Sequence, residues 1–227
     1  MSELRANPPV ALKPSDPPLD CPACPRLVAY REECRAAHPD WFNAPVPTWE
    51  PAEGPDAVRM VVVGMAPGVK GANRTGRPFT GDHAGGLLYE TMGKVGFARG
   101  HFEADPHDGL EPVGCAVTNA VRCVPPQNKP VGAEVNNCRP FLIDTLDSYE
   151  NAVALVTLGK IAHDTLVRAL GGRVAAAPFG HGAEHEVGRF RVFSSYHCSR
   201  YNTNTGVLTP AMFESVFNAV RNYVDCR

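Results

Sequence analysis

Four short apolar runs constrain this chain more than anything else in it: VRMVVVG (58–64), CAVTNAVRC (115–123), NAVALVTLG (151–159) and RFRVFSSYH (189–197). Their centres are apolar at consecutive positions and rich in β-branched residues. Strands of that kind are covered on both faces, which is the condition of a parallel sheet between helical layers. Helical patterns alternate with them. GGLLYETMGKVGF (85–97) places Leu87, Leu88, Met92 and Val95 at helical spacing, and KIAHDTLVRAL follows the third run. TPAMFESVFNAVRNYV (209–224) carries Met212, Phe213, Val216, Phe217 and Val220 as one stripe, with Thr209 as N-cap and Pro210 at the first helical position. The alternation predicts a three-layer α/β/α domain with a four-stranded, mostly parallel central sheet. Ligands of such sheets bind beyond the carboxyl ends of the strands.

The expected domain spans residues 20–227, preceded by a flexible, Pro-rich segment at 1–19. The net charge of −2 excludes a polyanion binder by overall charge, so a nucleic-acid face must be a local patch. No apolar run reaches the ~18 residues of a membrane span, and the first twenty residues lack a signal-peptide core. The expectation is a cytoplasmic protein with no membrane partner. Eight cysteines in such a chain read as metal ligands or buried thiols rather than disulfides.

The informative stretches follow the strands. GMAPGVKGANRTGRPFTGDHAG (64–85) is Gly-rich, carries Lys70, Arg74 and Arg77, and has no acid between Gly64 and Gly81. It fails the phosphate-loop template, because Lys70 is followed by Gly71. No G-x-G-x-x-G occurs anywhere, so the dinucleotide fingerprint fails too. Cys21 and Cys24 form C-P-A-C, and Cys123 and Cys138 lie fifteen apart. These four can close a four-cysteine site, for which zinc and an iron–sulfur cluster are equally suitable on pattern. Cys34, Cys115, Cys198 and Cys226 read as ordinary thiols. SYHCSRYNTNTG (195–206) combines a strand-end His with short polar donors, an Arg and a Tyr, a set suited to a nucleic-acid backbone.

GMAPGVKGANRTGRPFTGD, TNAVRCVPPQNKP, SYHCSRYNTNTG and the early CPACPRLVAYRE together resemble the uracil-DNA glycosylase superfamily, most closely its fifth family, type b. The match covers about residues 20–224. The resemblance implies a monofunctional DNA glycosylase that releases uracil and other deaminated bases, hypoxanthine and xanthine, to begin base excision repair. It implies a structural four-iron four-sulfur (4Fe-4S) cluster on Cys21, Cys24, Cys123 and Cys138. The partner would be DNA, double- or single-stranded, and the protein a monomer. Phe79 would stack on the base, within a pocket that includes Gly64, Ala66, Pro67 and Gly68. His197 would donate toward the uracil O2, and Asn119 would read its edge. Ala66 stands where the best-known members have a catalytic Asp, so the resemblance moves that carboxylate to Asp82. The residue-level alternative for Asp82 is a helix N-cap, and one acid can do both. Gly68 stands where strict uracil enzymes have a Tyr that blocks the thymine methyl, which implies a roomier pocket. Lys70, Asn73, Arg74, Arg77, Ser199, Arg200, Tyr201 and Asn202 would meet the DNA, with Arg200 and Tyr201 filling the gap left by the flipped base. The competing readings are a non-enzymatic four-cysteine DNA-binding or redox-sensing domain and a strict uracil-only enzyme of the family 4 kind.

Overall fold

A computed structural model describes residues 12–227. The four anticipated strands are β1 (Met60–Gly64), β4 (Cys115–Asn119), β5 (Ala154–Leu158) and β7 (Phe190–Ser195). They lie in the order β4-β1-β5-β7 and pair in parallel throughout. A fifth strand, β6 (Glu184–Val187), adds antiparallel to the β7 edge. The sequence reading of four strands missed it because Glu184, His185 and Glu186 look like loop. The β6–β7 hairpin is closed by Gly188 and Arg189, with Gly188 at φ +60°, the position a tight hairpin turn gives to glycine. Charged residues on an edge strand also discourage further pairing. β2 (Ala98–Arg99) and β3 (Glu111–Pro112) form a separate small ribbon.

Consecutive strand residues face opposite layers. Met60 and Val62 of β1 pack with Val117, Val156 and Phe193 under α3 (His83–Lys94) and α7 (Pro210–Asp225). Val61 and Val63 pack with Ala116, Leu155 and Val192 under α4 (Gly132–Asp147) and α5 (Lys160–Ala169). That is why the runs are apolar at every position. Thr209 caps α7 by accepting from the Met212 amide, with Pro210 at the first turn. α1 (Pro25–Ala37) contributes Leu27 to a third, smaller core with Val121 and Cys138. α2 (Ala72–Thr75) and α6 (Arg200–Asn204) are single turns beside the carboxyl ends of the strands.

The packed part of the chain begins earlier than residue 20. Within the segment assigned to a flexible lead-in, Ser15 and Asp16 are buried. Asp16 pairs with the buried Arg122 at 3.0 Å and accepts from the Thr48 amide at 3.1 Å. A buried guanidinium requires such a partner, and composition does not reveal which acid supplies it. Residues 1–11 lie outside the described residues. Among the described residues, no helix is long and apolar enough to cross a membrane.

Candidate active site

The carboxyl ends of β1, β4 and β7 open into a cleft of about 230 Å³ lined by Ala66, Pro67, Gly68, Phe79, Asp82, Asn119, Asn128, His197 and Ser199, together with Met65, Ala72 and Ala84. Sheet register builds its centre. Gly64 and Asn119 are direct partners on β1 and β4. A Cβ on Gly64 would lie 2.4 Å from Asn119 Oδ1 and 2.5 Å from the tip of the Phe79 ring, so only glycine lets strand, amide and ring converge. Asn119 is 3% exposed, and its side-chain amide makes no hydrogen bond within the described residues. The residue is buried but its amide stays accessible from the cleft, so a group that enters the cleft can pair with it.

Phe79 is buried at φ +53°, a left-handed conformation unusual for a bulky residue. Its neighbours hold it there. The Tyr89 hydroxyl donates to the Pro78 carbonyl. Arg77 donates from Nε to Thr80 Oγ1 at 2.7 Å and makes two bonds of 2.8 Å to Asp108. Its guanidinium lies over the rings of Trp49, Tyr89 and Phe102. Burial pushes Asp108 up, but the Arg77 bonds and the Glu103 and Leu110 amides outweigh it and hold the carboxyl at about 2. Gly85 of α3 lets the Phe79 carbonyl approach to within 1.9 Å of where a Cβ would stand. Arg77, expected to meet DNA, is instead turned inward: it is 5% exposed and bound to Asp108. Asn73, expected at the same surface, also turns inward. It is 1% exposed and donates to Asn43 Oδ1 at 2.9 Å. Both lie in a loop with polar composition, which hides the fact that its middle folds inward.

Asp82 is the N-cap of α3, with Oδ1 accepting from the Ala84 amide at 3.1 Å. Oδ2 lies over the Gly68–Gly71 turn. A Cβ at Gly68 would approach it to 2.9 Å and a Cβ at Gly71 to 2.4 Å. Both glycines therefore seat this carboxylate. Any side chain at position 68 would displace it, so Gly68 and an acid at 82 belong together. His197 follows β7 and lies beside Gly159, the N-cap of α5, with its ring 6.3 Å from that of Phe79. Burial holds the His197 pKa below its usual value, with nearby Asp82 opposing, so the ring is neutral near pH 7. Asn202 donates to the His197 carbonyl at 2.8 Å, and Ser199 caps α6, so both half-buried side chains shape the loop after β7.

Lys70, Arg74 and Arg200 are exposed, and Tyr201 is 74% exposed. The cleft itself contains no cation; apart from the Asp82 carboxylate its lining is uncharged, which suits a neutral ring. Sequence reasoning missed Met65, Ala72, Ala84 and Asn128 as lining residues. The first three carry no chemical signal. Asn128 sits in the PPQNKP loop, where its left-handed φ of +57° is a conformation Asn tolerates.

On the far side of the β4 loop, Cys21, Cys24, Cys123 and Cys138 line a single cleft with Leu27, Arg31 and Asn137. Burial raises Cys123 to about 12 and also raises Cys24 and Cys138. Cys34, Cys115 and Cys198 are buried and Cys226 is exposed, as expected of ordinary thiols.

A parallel α/β/α sheet whose carboxyl end holds a cleft with one aromatic wall, an unpartnered amide and a single capped carboxylate suits a flat polar ring read at its edge. Comparison with known proteins agrees. The family model described as the uracil DNA glycosylase superfamily matches residues 51–221. A type-5 uracil-DNA glycosylase of Thermus thermophilus is 42% identical over 86% of this chain and 90% of its own length. One from Pyrobaculum aerophilum is 37% identical over 84% and 83%. A type-4 enzyme of the same archaeon is 33% identical, but over only 54% and 55%. The chain belongs to the uracil DNA glycosylase superfamily, in its type-5 branch.

Proposed function

We propose that this chain is a monofunctional DNA glycosylase that extrudes a uracil nucleotide and hydrolyses the bond between base and deoxyribose, initiating base excision repair. The observation that carries the reading is Asn119: a side chain 3% exposed, facing the cleft, with no protein partner for its amide. An amide offers a donor and an acceptor together, matching uracil O4 and N3–H. Extrusion costs a few kcal/mol of unstacking, least at a mispair such as U·G. Phe79 stacks on the extruded ring. As the C1′–N1 bond breaks, its electron pair passes to uracil, and the neutral His197 donates to the O2 that gains charge. Asp82 Oδ2 orients a water at C1′ and takes up its proton as the new C–O bond forms. All these groups come from one chain, so a monomer suffices. Lys70, Arg74, Arg200 and Tyr201 meet the strand around the lesion.

The reading includes hypoxanthine and xanthine, supported by the absence of a side chain at Gly68 on the cleft wall. The test is incubation with U-, hypoxanthine- and xanthine-containing duplexes followed by alkaline cleavage of abasic sites. Cleavage at uracil and at least hypoxanthine is expected. Release of uracil alone removes the broad range, and no release at all removes the function.

The four cysteines are read as ligands of a 4Fe-4S cluster. Their donor set fits it. Arg31, 3% exposed, lines the same cleft and donates to the Cys21 carbonyl at 3.2 Å; its Nε makes no hydrogen bond and has the Glu32 carboxylate 4.0 Å away, so its positive charge beside the cysteines suits an anionic group. Among the described residues, no three His, Cys, Asp or Glu side chains lie close enough to hold a single ion. A cluster separates its thiolates further than one zinc with bonds of ~2.3 Å. When bound, it ties the start of α1 to the β4 loop and α4. Brown protein with charge-transfer absorption is expected, and Cys138→Ala should lose both the colour and thermal stability. Colourless protein with one equivalent of zinc would overturn the cluster.

A further inference from the structure

The segment between Cys123 and Cys138 contributes one residue to the base cleft, Asn128, and no role follows for it from the groups described so far. Its backbone is unusual. Gln127 and Asn128 both stand at φ +57°, two successive non-glycine residues in the left-handed region. Single residues visit that region, and they persist there where the surroundings over-determine them, which is common at functional sites. The surroundings here do so. The Asn128 and Lys129 amides donate back to the Pro125 and Pro126 carbonyls, both at 3.1 Å. Arg26 of α1 donates to the Lys129 carbonyl at 3.0 Å and makes two bonds of 2.7 and 2.8 Å to Glu134 of α4. Glu134 in turn accepts from the Val131 amide at 2.8 Å. The turn is thus braced from two helices.

The brace presents a side chain that nothing in the protein uses. Asn128 is exposed at the mouth of the cleft, and its side-chain amide makes no hydrogen bond within the described residues. We propose that Asn128 is a further substrate-contacting residue, its side-chain amide hydrogen-bonding to the extruded nucleotide at the mouth of the cleft while Asn119 reads the base from its floor. The inference rests on the base-excision reading and deepens it. It also gives the four-cysteine segment a part in recognition, since Cys123 and Cys138 bracket the residues that carry Asn128.

The left-handed backbone makes a clean test available. Glycine adopts that conformation freely, so Asn128→Gly removes the side chain and leaves the turn unstrained. Asn128→Ala removes the same side chain and adds backbone strain. Binding to duplex with a non-cleavable uracil analogue and single-turnover release of uracil are measured for wild type and both variants. Loss of one neutral hydrogen bond predicts binding weakened by about two- to tenfold in Asn128→Gly. Wild-type behaviour of Asn128→Gly overturns the proposal, and does so equally if Asn128→Ala alone is impaired, because that pattern assigns the position to backbone conformation. If the glycine variant fails to unfold cooperatively, Asn128→Ser carries the same expectation, since its shorter, uncharged side chain cannot reach as far as the amide. A wild-type protein that binds lesion DNA without releasing base would sink the excision reading, and the binding comparison would still decide the role of Asn128.

Discussion

Asp82→Asn is expected to lower the single-turnover rate of uracil release by about 10²- to 10⁴-fold, the range for loss of a positioned acid–base group. The substitution is informative because Asp82 does two things. Oδ1 caps α3 and Oδ2 faces the cleft. Asn is as good an N-cap as Asp, so the helix start survives the change. The isosteric amide also keeps the contact with the Gly68–Gly71 turn. What disappears is the negative charge and the proton acceptor for water. Thermal unfolding and binding to lesion-containing duplex should therefore stay near wild type while the rate collapses. An undiminished rate would remove Asp82 from the mechanism. In that case the residue is a helix cap that happens to border a cleft.

Gly71→Ala should lower the same rate by about 10²-fold, the scale of a misplacement of roughly 1 Å at a reacting group. An added Cβ would stand 2.4 Å from Asp82 Oδ2 and 2.9 Å from its Cγ, and the movable partner in that clash is the carboxylate. The chain still folds, but the carboxylate swings off its seat and weakens its cap on α3, a loss of about 1 kcal/mol. Backbone strain at Gly71 could mimic this result, and a double-mutant cycle separates the two. In an Asp82→Ala background there is no carboxylate to displace, so Gly71→Ala should change the residual rate by less than about twofold. A full additive loss in that background would mean that Gly71 acts on the turn itself and not through Asp82. The same seat explains why Gly68 and Asp82 occur together. A side chain at 68 and a carboxylate at 82 compete for one volume, so the roomier wall and the relocated acid are one structural solution.

Much of this site was legible before any coordinate. Gly64, Gly68, Phe79, Asp82, Asn119 and His197 stand at or beyond the carboxyl ends of three strands, and those strands are apolar enough to be recognised. Parallel strands under helices send their following loops to one end, so the three stretches had to meet. The loop between them was read less well. Lys70, Arg74 and Arg77 looked equivalent, yet Lys70 and Arg74 face solvent while Arg77 turns inward to Asp108 and three aromatic rings. Nothing local separates them. The partner of Arg77 lies thirty-one residues away in HFEADPHDGL, a stretch that reads as featureless loop. The same holds for Asp16, whose partner Arg122 follows β4. Asn128 went unremarked because its significance depends on a backbone angle and on the cleft it borders.

By itself the sequence determined the layered α/β/α architecture, the ends of the strands where chemistry gathers and the residue types that gather there. Those follow from periodicity and from the chain's need to bury apolar faces, which are local properties. The tertiary structure alone decided which cations face outward, which acid holds the loop behind Phe79, and where the Asp82 carboxylate is seated. It also placed Asn128 at the cleft. These depend on pairings across thirty to more than one hundred residues, and on glycines whose value lies in the atoms that approach them. A buried charge takes whichever partner the fold brings near, and no short-range pattern records that choice.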